Sequence, residues 1–279
     1  MLSEAKPAPV TPKATSELPY DEVNPGGTKT IIFIHGAFSD RHNWNLVTPH
    51  LLKTYHLLLP DLPGHGKAVK AHPHYSKATS ASLLAQLIRA KAVNGRAHVV
   101  GVSLGASVAV ELASNHPDIV NSMFVSGFKL FPTMAGSTYA ARGLWLDARI
   151  TSFVPRSIVR WLMDGTDIPA SRPERVTLPL CQEILDTITL ADSGGKWPSP
   201  WPARTLIVCA GKSGILPTAD HAHDAIRMRD IGREGNNETA AYTHAEMRHP
   251  WDRQAPELFA ATATAWFEGR ALPEGFVQL

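Results

Sequence analysis

The sequence predicts an α/β fold, in which a mostly parallel central sheet is flanked by helices and interrupted by one helical insertion. Two observations lead to this prediction. Short apolar runs alternate with segments of helical periodicity, and about seventy residues break that alternation with helical patterns alone. The chain has 279 residues, of which 44% are hydrophobic, so one domain with a sizeable core is expected.

Residues 1–28 are rich in Pro, Ala, Thr and Lys without hydrophobic periodicity, and we expect them to form a flexible leader. Six apolar runs then predict strands, which are Thr30–His35, Tyr55–Leu59, Ala97–Val102, Asn121–Ser126, Thr205–Ala210 and the weaker Glu238–Thr243. Helical spacing of apolar residues predicts helices over Trp44–Thr54, Ser80–Val93, Leu104–Asn115, Thr218–Arg229 and Ala255–Glu268.

The segment that breaks the alternation predicts a helical cap, or lid, over one edge of the sheet. It shows helical patterns over Tyr139–Ile150, Ser157–Met163 and Val176–Leu190 and no convincing strand. We therefore expect an α/β core made of residues 29–128 and 203–279, with the cap at 129–202.

Composition argues against several functional classes. The 27 basic and 25 acidic side chains give a net charge of +2, so nothing favours nucleic acid or an anionic membrane as partner. No run reaches the roughly 18 apolar residues of a membrane span, and the N-terminus lacks a secretory apolar region. We expect a cytoplasmic protein. The absence of a dinucleotide fingerprint predicts no cofactor.

The run His221-Ala222-His223-Asp224 resembles a metal-binding pattern. Residues two apart on a helix do not share a face, and zinc needs convergent ligands. We therefore expect no metal site there or elsewhere in the chain.

A serine lies between two glycines where a predicted strand meets a predicted helix. The run Gly101-Val102-Ser103-Leu104-Gly105 fits G-x-S-x-G. So sharp a turn strains its central residue and leaves no room for side chains two positions away. Glycines at these two positions have no side chain and therefore fit. The Ser103 hydroxyl is then exposed at the carboxyl edge of the sheet. The N–H of Leu104 opens the helix, where a forming oxyanion is stabilised.

Two further segments reach the same edge of the sheet. The first predicted strand ends in His35-Gly36-Ala37-Phe38, where a small residue lets the backbone bend. The N–H of Ala37 can then face Ser103 as the second half of an oxyanion hole. His249 follows the last predicted strand and precedes the last helix, so we expect its imidazole at that edge too.

These segments resemble the α/β-hydrolase superfamily over essentially all of residues 29–270. The motifs are I-I-F-I-H-G-A-F, L-L-L-P-D-L-P-G-H-G, G-V-S-L-G and H-P-W-D-R-Q-A-P-E-L-F. The order His35-Gly36-Ala37 followed by Trp44 is similar to the esterase and hydroxynitrile-lyase branch. The resemblance implies that Ser103 is the nucleophile and His249 the general base. A serine at the elbow argues against the dehalogenase and epoxide-hydrolase branches, which use aspartate.

The carboxylate of a catalytic triad is missing from its usual places. The superfamily most often supplies it three residues after a glycine in the loop after Thr205–Ala210, and that position is Gly214. The other usual place, after Asn121–Ser126, reads Ser126-Gly127-Phe128.

Three explanations for the missing acid stay open. A carboxylate could come from elsewhere, and the nearby acids are Asp220, Asp224, Glu246 and Asp252. Ser213 or a water could orient His249 instead, or the chemistry could need no strong base. We expect Asp220 and Asp224 to favour the start of a helix through its dipole, and we assign no acid.

The sequence thus predicts a cofactor-independent serine hydrolase that acts on an ester, thioester or similar acyl bond of a small hydrophobic substrate. Phe38 and aromatic residues of the cap, Trp145 among them, are expected to form its apolar pocket. One alternative is a non-hydrolytic enzyme of the same fold, such as a lyase, cyclase or isomerase. Another is a ligand-binding protein with little turnover.

Overall fold

The structure of the protein is a computed structural model that describes residues 17–131, 137–169, 172–190, 196–214 and 218–279. Its strands are β1 (Tyr20–Val23), β2 (Lys29–Ile34), β3 (Tyr55–Pro60), β4 (Ala97–Val102), β5 (Val120–Ser126), β6 (Thr205–Ala210), β7 (Ala240–His244) and β8 (Phe276–Gln278). They form one eight-stranded sheet in the order β1-β3-β2-β4-β5-β6-β7-β8. Strands β2 to β7 are parallel, whereas β1 and β8 pair antiparallel at the two edges. The predicted fold class is confirmed.

α-Helices lie between β3 and β4, β4 and β5, β5 and β6, and β6 and β7 in the chain, and two more lie between β7 and β8. They are α1 (Lys77–Lys91), α2 (Leu104–Asn115), α3 (Ser137–Thr151), α4 (Arg156–Leu162), α5 (Leu178–Ile188), α6 (Ala222–Gly235), α7 (Trp251–Gln254) and α8 (Pro256–Phe267). The predicted bounds of β4, α2 and β6 are confirmed residue for residue.

Apolar residues cover both faces of the sheet, which explains why the strands read as continuous hydrophobic runs. In β2, Ile32 and Ile34 pack in a cluster that includes residues of α1 and α2. The alternate residues Ile31 and Phe33 pack on the opposite face, in a cluster that includes Phe259 of α8. Because each buried side chain of this size contributes about 1.5–3 kcal/mol, the two clusters hold the carboxyl ends of the strands in place.

Two predictions about the first sixty residues are wrong. The expected leader contains β1, whose polar sequence Y-D-E-V pairs with β3 at the sheet edge. An edge strand of this kind depends on backbone hydrogen bonds, so it leaves no apolar pattern to detect. The helix expected over Trp44–Thr54 is replaced by short 3-10 turns, Arg41–Trp44 and Thr48–His50. Pro49, which has no N–H to donate, lies in the second of them. Residues 1–16 lie outside the described residues.

Helices α3, α4 and α5 lie between β5 and β6 in the chain, and we call this region the helical insertion. Ala141 of α3 packs with Cys181 and Leu185 of α5 and with Val176, which forms a small cluster of its own. One isolated bridge joins Phe131 to Thr189, so the two ends of the insertion lie side by side.

Candidate active site

Ser103 sits on a strained turn between β4 and α2. Its backbone has φ 54° and ψ −119°, in the left-handed region that a residue with a Cβ rarely adopts. The Ser103 N–H donates to the carbonyl of Ser126 at the end of β5, 2.8 Å away, and this bond holds the turn against the sheet.

The glycines on either side of Ser103 are required by close contacts of the backbone. A Cβ at Gly101 would lie 2.4 Å from the carbonyl oxygen of Gly105. A Cβ at Gly105 would lie 2.2 Å from the carbonyl oxygen of Ile34, at the end of β2. Both distances are far below van der Waals contact, so the G-x-S-x-G spacing follows from packing of the turn against neighbouring backbone.

His249 lies between β7 and α7, and both its backbone and its ring are hydrogen-bonded. The backbone N–H of His249 donates to the Thr218 carbonyl at 2.8 Å. Its Nδ1 is 2.5 Å from Oδ1 of Asp220. Because a carboxylate only accepts, Nδ1 carries the proton, and Nε2 is left as the basic nitrogen. Gly127 makes room for the ring, since a Cβ there would lie 2.5 Å from Cε1 of His249.

The side chain of Asp220 hydrogen-bonds His249 and lies before α6, so the expectation that it favours the start of a helix is wrong. Its side chain is 7% exposed. Oδ2 accepts from the N–H of Ala210 at 2.8 Å, and the Asp220 N–H donates to the carbonyl of Ala210 at 2.8 Å. With Oδ1 on His249, both carboxylate oxygens therefore have donors, as a buried carboxylate requires.

The position of Asp220 follows from a loop that is longer than the superfamily pattern. We call residues 211–220 the acid loop, of which 215–217 lie outside the described residues. The bonds to Ala210 return the chain to the end of β6, so Asp220 is delivered beside that strand although it lies ten positions beyond Ala210. Gly214, the position expected by spacing, instead faces Arg248: a Cβ there would lie 3.0 Å from Nη2 of that arginine.

The pKa of His249 is raised above its ordinary value. Burial alone favours the neutral ring, but the hydrogen bond and charge of Asp220, together with the charge of Asp252, outweigh it. Asp252 is buried and accepts from Nδ2 of Asn43 at 2.8 Å. Burial raises the pKa of Asp252 to about 6.

Ser103, His249 and Asp220 line one cavity of about 470 Å³. Ala37 and Leu104, the expected oxyanion donors, line it as well. Its apolar wall includes residues from the helical insertion, namely Ile168, Ile184 and Ile188. The remaining lining residues are Ser107, Gly127, Lys129, Phe131, Thr218, Ala219 and Pro250.

The two aromatic residues predicted for the pocket are not among those that line this cavity. Phe38 lines a neighbouring cavity of about 380 Å³, which shares Ala37, Ile168 and Pro250 with the first. Trp145 packs against the small cluster inside the helical insertion, and the Arg149 guanidinium lies 3.8 Å from the centre of its ring.

Sequence reasoning named Asp220 only as one of several nearby acids and missed Gly127, Thr218 and Lys129. Asp220 could have been found from the topology. It is a carboxylate that follows β6, at whatever spacing, and it lies opposite the histidine that follows β7. Nothing in the local sequence around Thr218 or Lys129 marks either residue as part of a site.

Across the described ranges, no group of three or more His, Cys, Asp or Glu side chains is arranged to hold a metal ion. No helix in the same ranges is both long and apolar enough to cross a bilayer.

Comparison with known proteins places this geometry in a family. The chain matches the sequence profile of the alpha/beta hydrolase family over residues 31–262, and it belongs to that family. An AB hydrolase superfamily protein of Gibberella zeae is 34% identical over 260 residues, which are 92% of this chain and 86% of that protein. The resemblance deduced from the motifs is confirmed.

Esterases are among the similar proteins. A pimeloyl-[acyl-carrier protein] methyl ester esterase of Neisseria meningitidis is 36% identical over 99 residues, and the match spans only 36% of each chain. The solved structure of a marine microorganism esterase has a TM-score of 0.65 at 17% identity, covering 90% of this chain and 99% of that one. At such low identity the structural likeness shows the fold alone.

Proposed function

We propose that the protein is a cofactor-independent serine hydrolase that cleaves an ester, thioester or similar acyl bond of a small hydrophobic molecule. Ser103 is the nucleophile, His249 the general base and Asp220 the residue that orients the base. The observation that carries the proposal is the Asp220–His249 hydrogen bond inside a cavity that Ser103 also lines.

Acylation begins when Ser103 Oγ attacks the acyl carbon while Nε2 of His249 takes the hydroxyl proton. The buried Asp220 carboxylate stabilises the imidazolium that results. The negative charge on the acyl oxygen is stabilised by the N–H groups of Ala37 and Leu104, the latter at the positive end of α2. The intermediate collapses when His249 returns the proton to the leaving alcohol or thiol, which leaves the acyl group on Ser103.

Deacylation repeats these steps with water. His249 takes a proton from the water, whose oxygen attacks the acyl carbon, and the same N–H groups stabilise the second oxyanion. Return of the proton to Ser103 Oγ releases the carboxylic acid and restores the enzyme.

The helical insertion acts as the cap of this site. Ile184 and Ile188 project from α5 into the lining of the cavity that Ser103 lines, so substrate must pass or displace this wall. The apolar wall favours a hydrophobic acyl chain, because each buried methylene of the substrate contributes about 0.8 kcal/mol.

The non-hydrolytic alternative loses its main support. It was motivated by the apparent lack of an acid, and Asp220 occupies that role in the geometry of the site. Hydrolysis in water enriched in ¹⁸O tests the choice directly: a hydrolase places one labelled oxygen in the acid product, whereas a lyase or isomerase converts its substrate without the label.

Covalent labelling tests the nucleophile. A fluorophosphonate probe is expected to add once, on the peptide that contains Ser103, and Ser103→Ala is expected to abolish the adduct. Ser107→Ala is the matched control, because Ser107 lines the same cavity and is not placed in the chemistry. An adduct that persists in Ser103→Ala, or that disappears in Ser107→Ala alone, overturns the assignment.

A further inference from the structure

Lys129 brings a positive charge into the catalytic cavity. It lies two positions beyond Gly127, whose missing side chain makes room for His249, and it lines the same cavity as Ser103. The side chain is half-buried, and much of the remaining lining is apolar. An ammonium in such a setting carries a desolvation cost unless a partner offsets it.

The neighbours of Lys129 orient its ammonium group without neutralising it. Nζ donates to Nε2 of His221 at 3.3 Å and lies 4.7 Å from the centre of the Phe131 ring. Since Nε2 accepts, the proton of His221 is on Nδ1, which lies 3.7 Å from Oδ2 of Asp224. The His221 imidazole and an aromatic face therefore hold the lysine, and among the described residues only one of its three N–H donors has a hydrogen-bond partner.

Three other arginines, next to His249 in the chain or in the lining of the neighbouring cavity, are paired with carboxylates. Arg248 bonds Asp164 at 2.6 Å, Arg253 lies 3.4 Å from Asp167, and Arg175 bonds Asp40. Within the described ranges, no carboxylate forms such a pair with Lys129. Asp220, the carboxylate in the cavity lining, is engaged by His249 and by the N–H of Ala210.

We propose that Lys129 forms an anion-binding subsite of the catalytic cavity and that the preferred substrate carries a carboxylate which binds there. This inference rests on the proposed function, because it names the substrate class of the same site. The substrate is then an ester with an apolar chain that separates the scissile bond from a carboxylate. The carboxylate lies either in the acyl part, as in a half-ester of a dicarboxylic acid, or in the leaving group.

Matched pairs of esters test the subsite. For the acyl part, the pair is the 4-nitrophenyl ester of adipic acid with its free carboxylate and 4-nitrophenyl heptanoate. For the leaving group, the pair is 4-(butyryloxy)benzoate and phenyl butyrate. The wild type is expected to prefer the anionic member of one pair in kcat/KM. Lys129→Met is expected to lower that preference about tenfold or more, the usual effect of losing a bond between charged groups.

Control variants separate loss of charge from loss of structure. Lys129→Arg keeps the charge and is expected to keep the preference. Lys70→Met removes an exposed lysine outside the cavity lining and is expected to change nothing. Turnover of the neutral esters reports the folded, active fraction of each variant. All rates are compared on the high-pH plateau of each variant's own pH–kcat/KM profile, because the charge of Lys129 also lowers the pKa of His249.

A binding measurement keeps the inference independent of turnover. Adipic acid monoamide, which has a free carboxylate and no ester, is titrated calorimetrically against wild type and Lys129→Met, with hexanamide as the neutral control. Tighter binding of the monoamide that is lost in Lys129→Met supports the subsite even if no ester is turned over, in which case the proposed function fails alone. If wild type and Lys129→Met show the same preference for the anionic compound in turnover or binding, the subsite is overturned and the proposed hydrolase function still stands.

Discussion

The turn that holds Ser103 and the acid loop that delivers Asp220 place their side chains in one cavity by opposite means. Ser103 is fixed by backbone packing so tight that neither Gly101 nor Gly105 has space for a Cβ. Asp220 is fixed by hydrogen bonds that close a longer loop onto Ala210. The backbone packing around Ser103 fixes the spacing between the serine and its glycines. The hydrogen bonds that hold Asp220 do not fix the number of residues in the acid loop. Residue spacing therefore predicts the position of Ser103 and fails for that of Asp220.

Removing the carboxylate at the end of the acid loop has the largest expected effect. Asp220→Asn is expected to lower kcat by about 10⁴-fold while the protein stays folded, because the ring loses the partner that sets its tautomer and stabilises its protonated form. Steady-state kinetics with a simple aryl ester measures the loss, and circular dichroism checks the fold.

Two other acids serve as controls for Asp220→Asn. Asp224→Asn and Glu246→Gln change acids that are close in sequence, and each is expected to keep kcat within about threefold, as substitutions away from the reacting groups do. If either variant were as inactive as Asp220→Asn, the acid loop would not be the source of the triad carboxylate.

Crowding the imidazole has the next largest effect. Gly127→Ala puts a Cβ within 2.5 Å of Cε1 of His249, so the ring must move. A displacement of about 1 Å at a reacting group lowers kcat by about 10²-fold. Gly269→Ala is the matched control, because Gly269 has φ +68°, close to the +69° of Gly127, with nothing within 4 Å.

Both glycine variants are expected to unfold at lower temperature, since both force alanine into the left-handed region at a cost of about 1 kcal/mol. Only Gly127→Ala is expected to lose activity. Equal kcat values in the two variants would show that the ring has room to spare.

The buried carboxyl of Asp252 allows a finer test. Because its charge helps to raise the pKa of His249, Asp252→Asn is expected to move the midpoint of the pH–kcat/KM profile toward lower pH. Activity rises with pH in both proteins, since the neutral ring is the base. A midpoint that does not move contradicts the electrostatic account of the site.

The thermal stability of the Asp252→Asn variant, compared with wild type, should also depend on pH. The folded-state pKa of about 6 exceeds the ordinary value of 3.8, so the contribution of the protonated carboxyl is fully present below 3.8 and is lost as pH rises through 6. The Asp252→Asn variant does not lose a contribution in this way, because its amide does not ionise. The melting temperature of the variant relative to wild type is therefore expected to be higher at pH 7.5 than at pH 4.5.

The smallest expected effect comes from lengthening the acid loop. One glycine inserted after Gly214 is expected to change kcat by less than about fivefold, because adding a residue to a loop costs little closure entropy and leaves the bonds to Ala210 in place. The same glycine inserted after Val102 is expected to abolish fluorophosphonate labelling, because it moves Ser103 out of the turn. Similar losses from both insertions would remove the contrast between the two regions.

Much of this site could be predicted from the sequence because its determinants are local. A run such as Ala97–Val102, buried on both faces, carries its own signature, and so does a serine between two glycines. His249 was predictable for a topological reason: parallel strands end at one edge of the sheet, so the residue after β7 lies at the edge that holds Ser103.

The parts that escaped prediction depend on contacts between distant residues. Asp220 is identified by its bonds to Ala210 and His249, and neither bond leaves a pattern in the residues between them. Strand β1 exists because β3 offers an unpaired edge, and its own sequence is polar. The insertion's Trp145 is an aromatic residue typical of a pocket, but packing of its helix α3 turns it toward the cluster that includes Cys181 and Leu185 of α5.

The absence of a side chain at Gly127 also restricts where in the chain the acid that partners His249 could be placed. The end of β5 is the other place from which this superfamily supplies its acid, yet any side chain there would occupy the space of the His249 ring. A carboxylate at position 127 would require the imidazole to shift, and the shift would break the hydrogen bond of the imidazole to Asp220. A side chain at position 127 and the present position of the His249 ring are thus mutually exclusive.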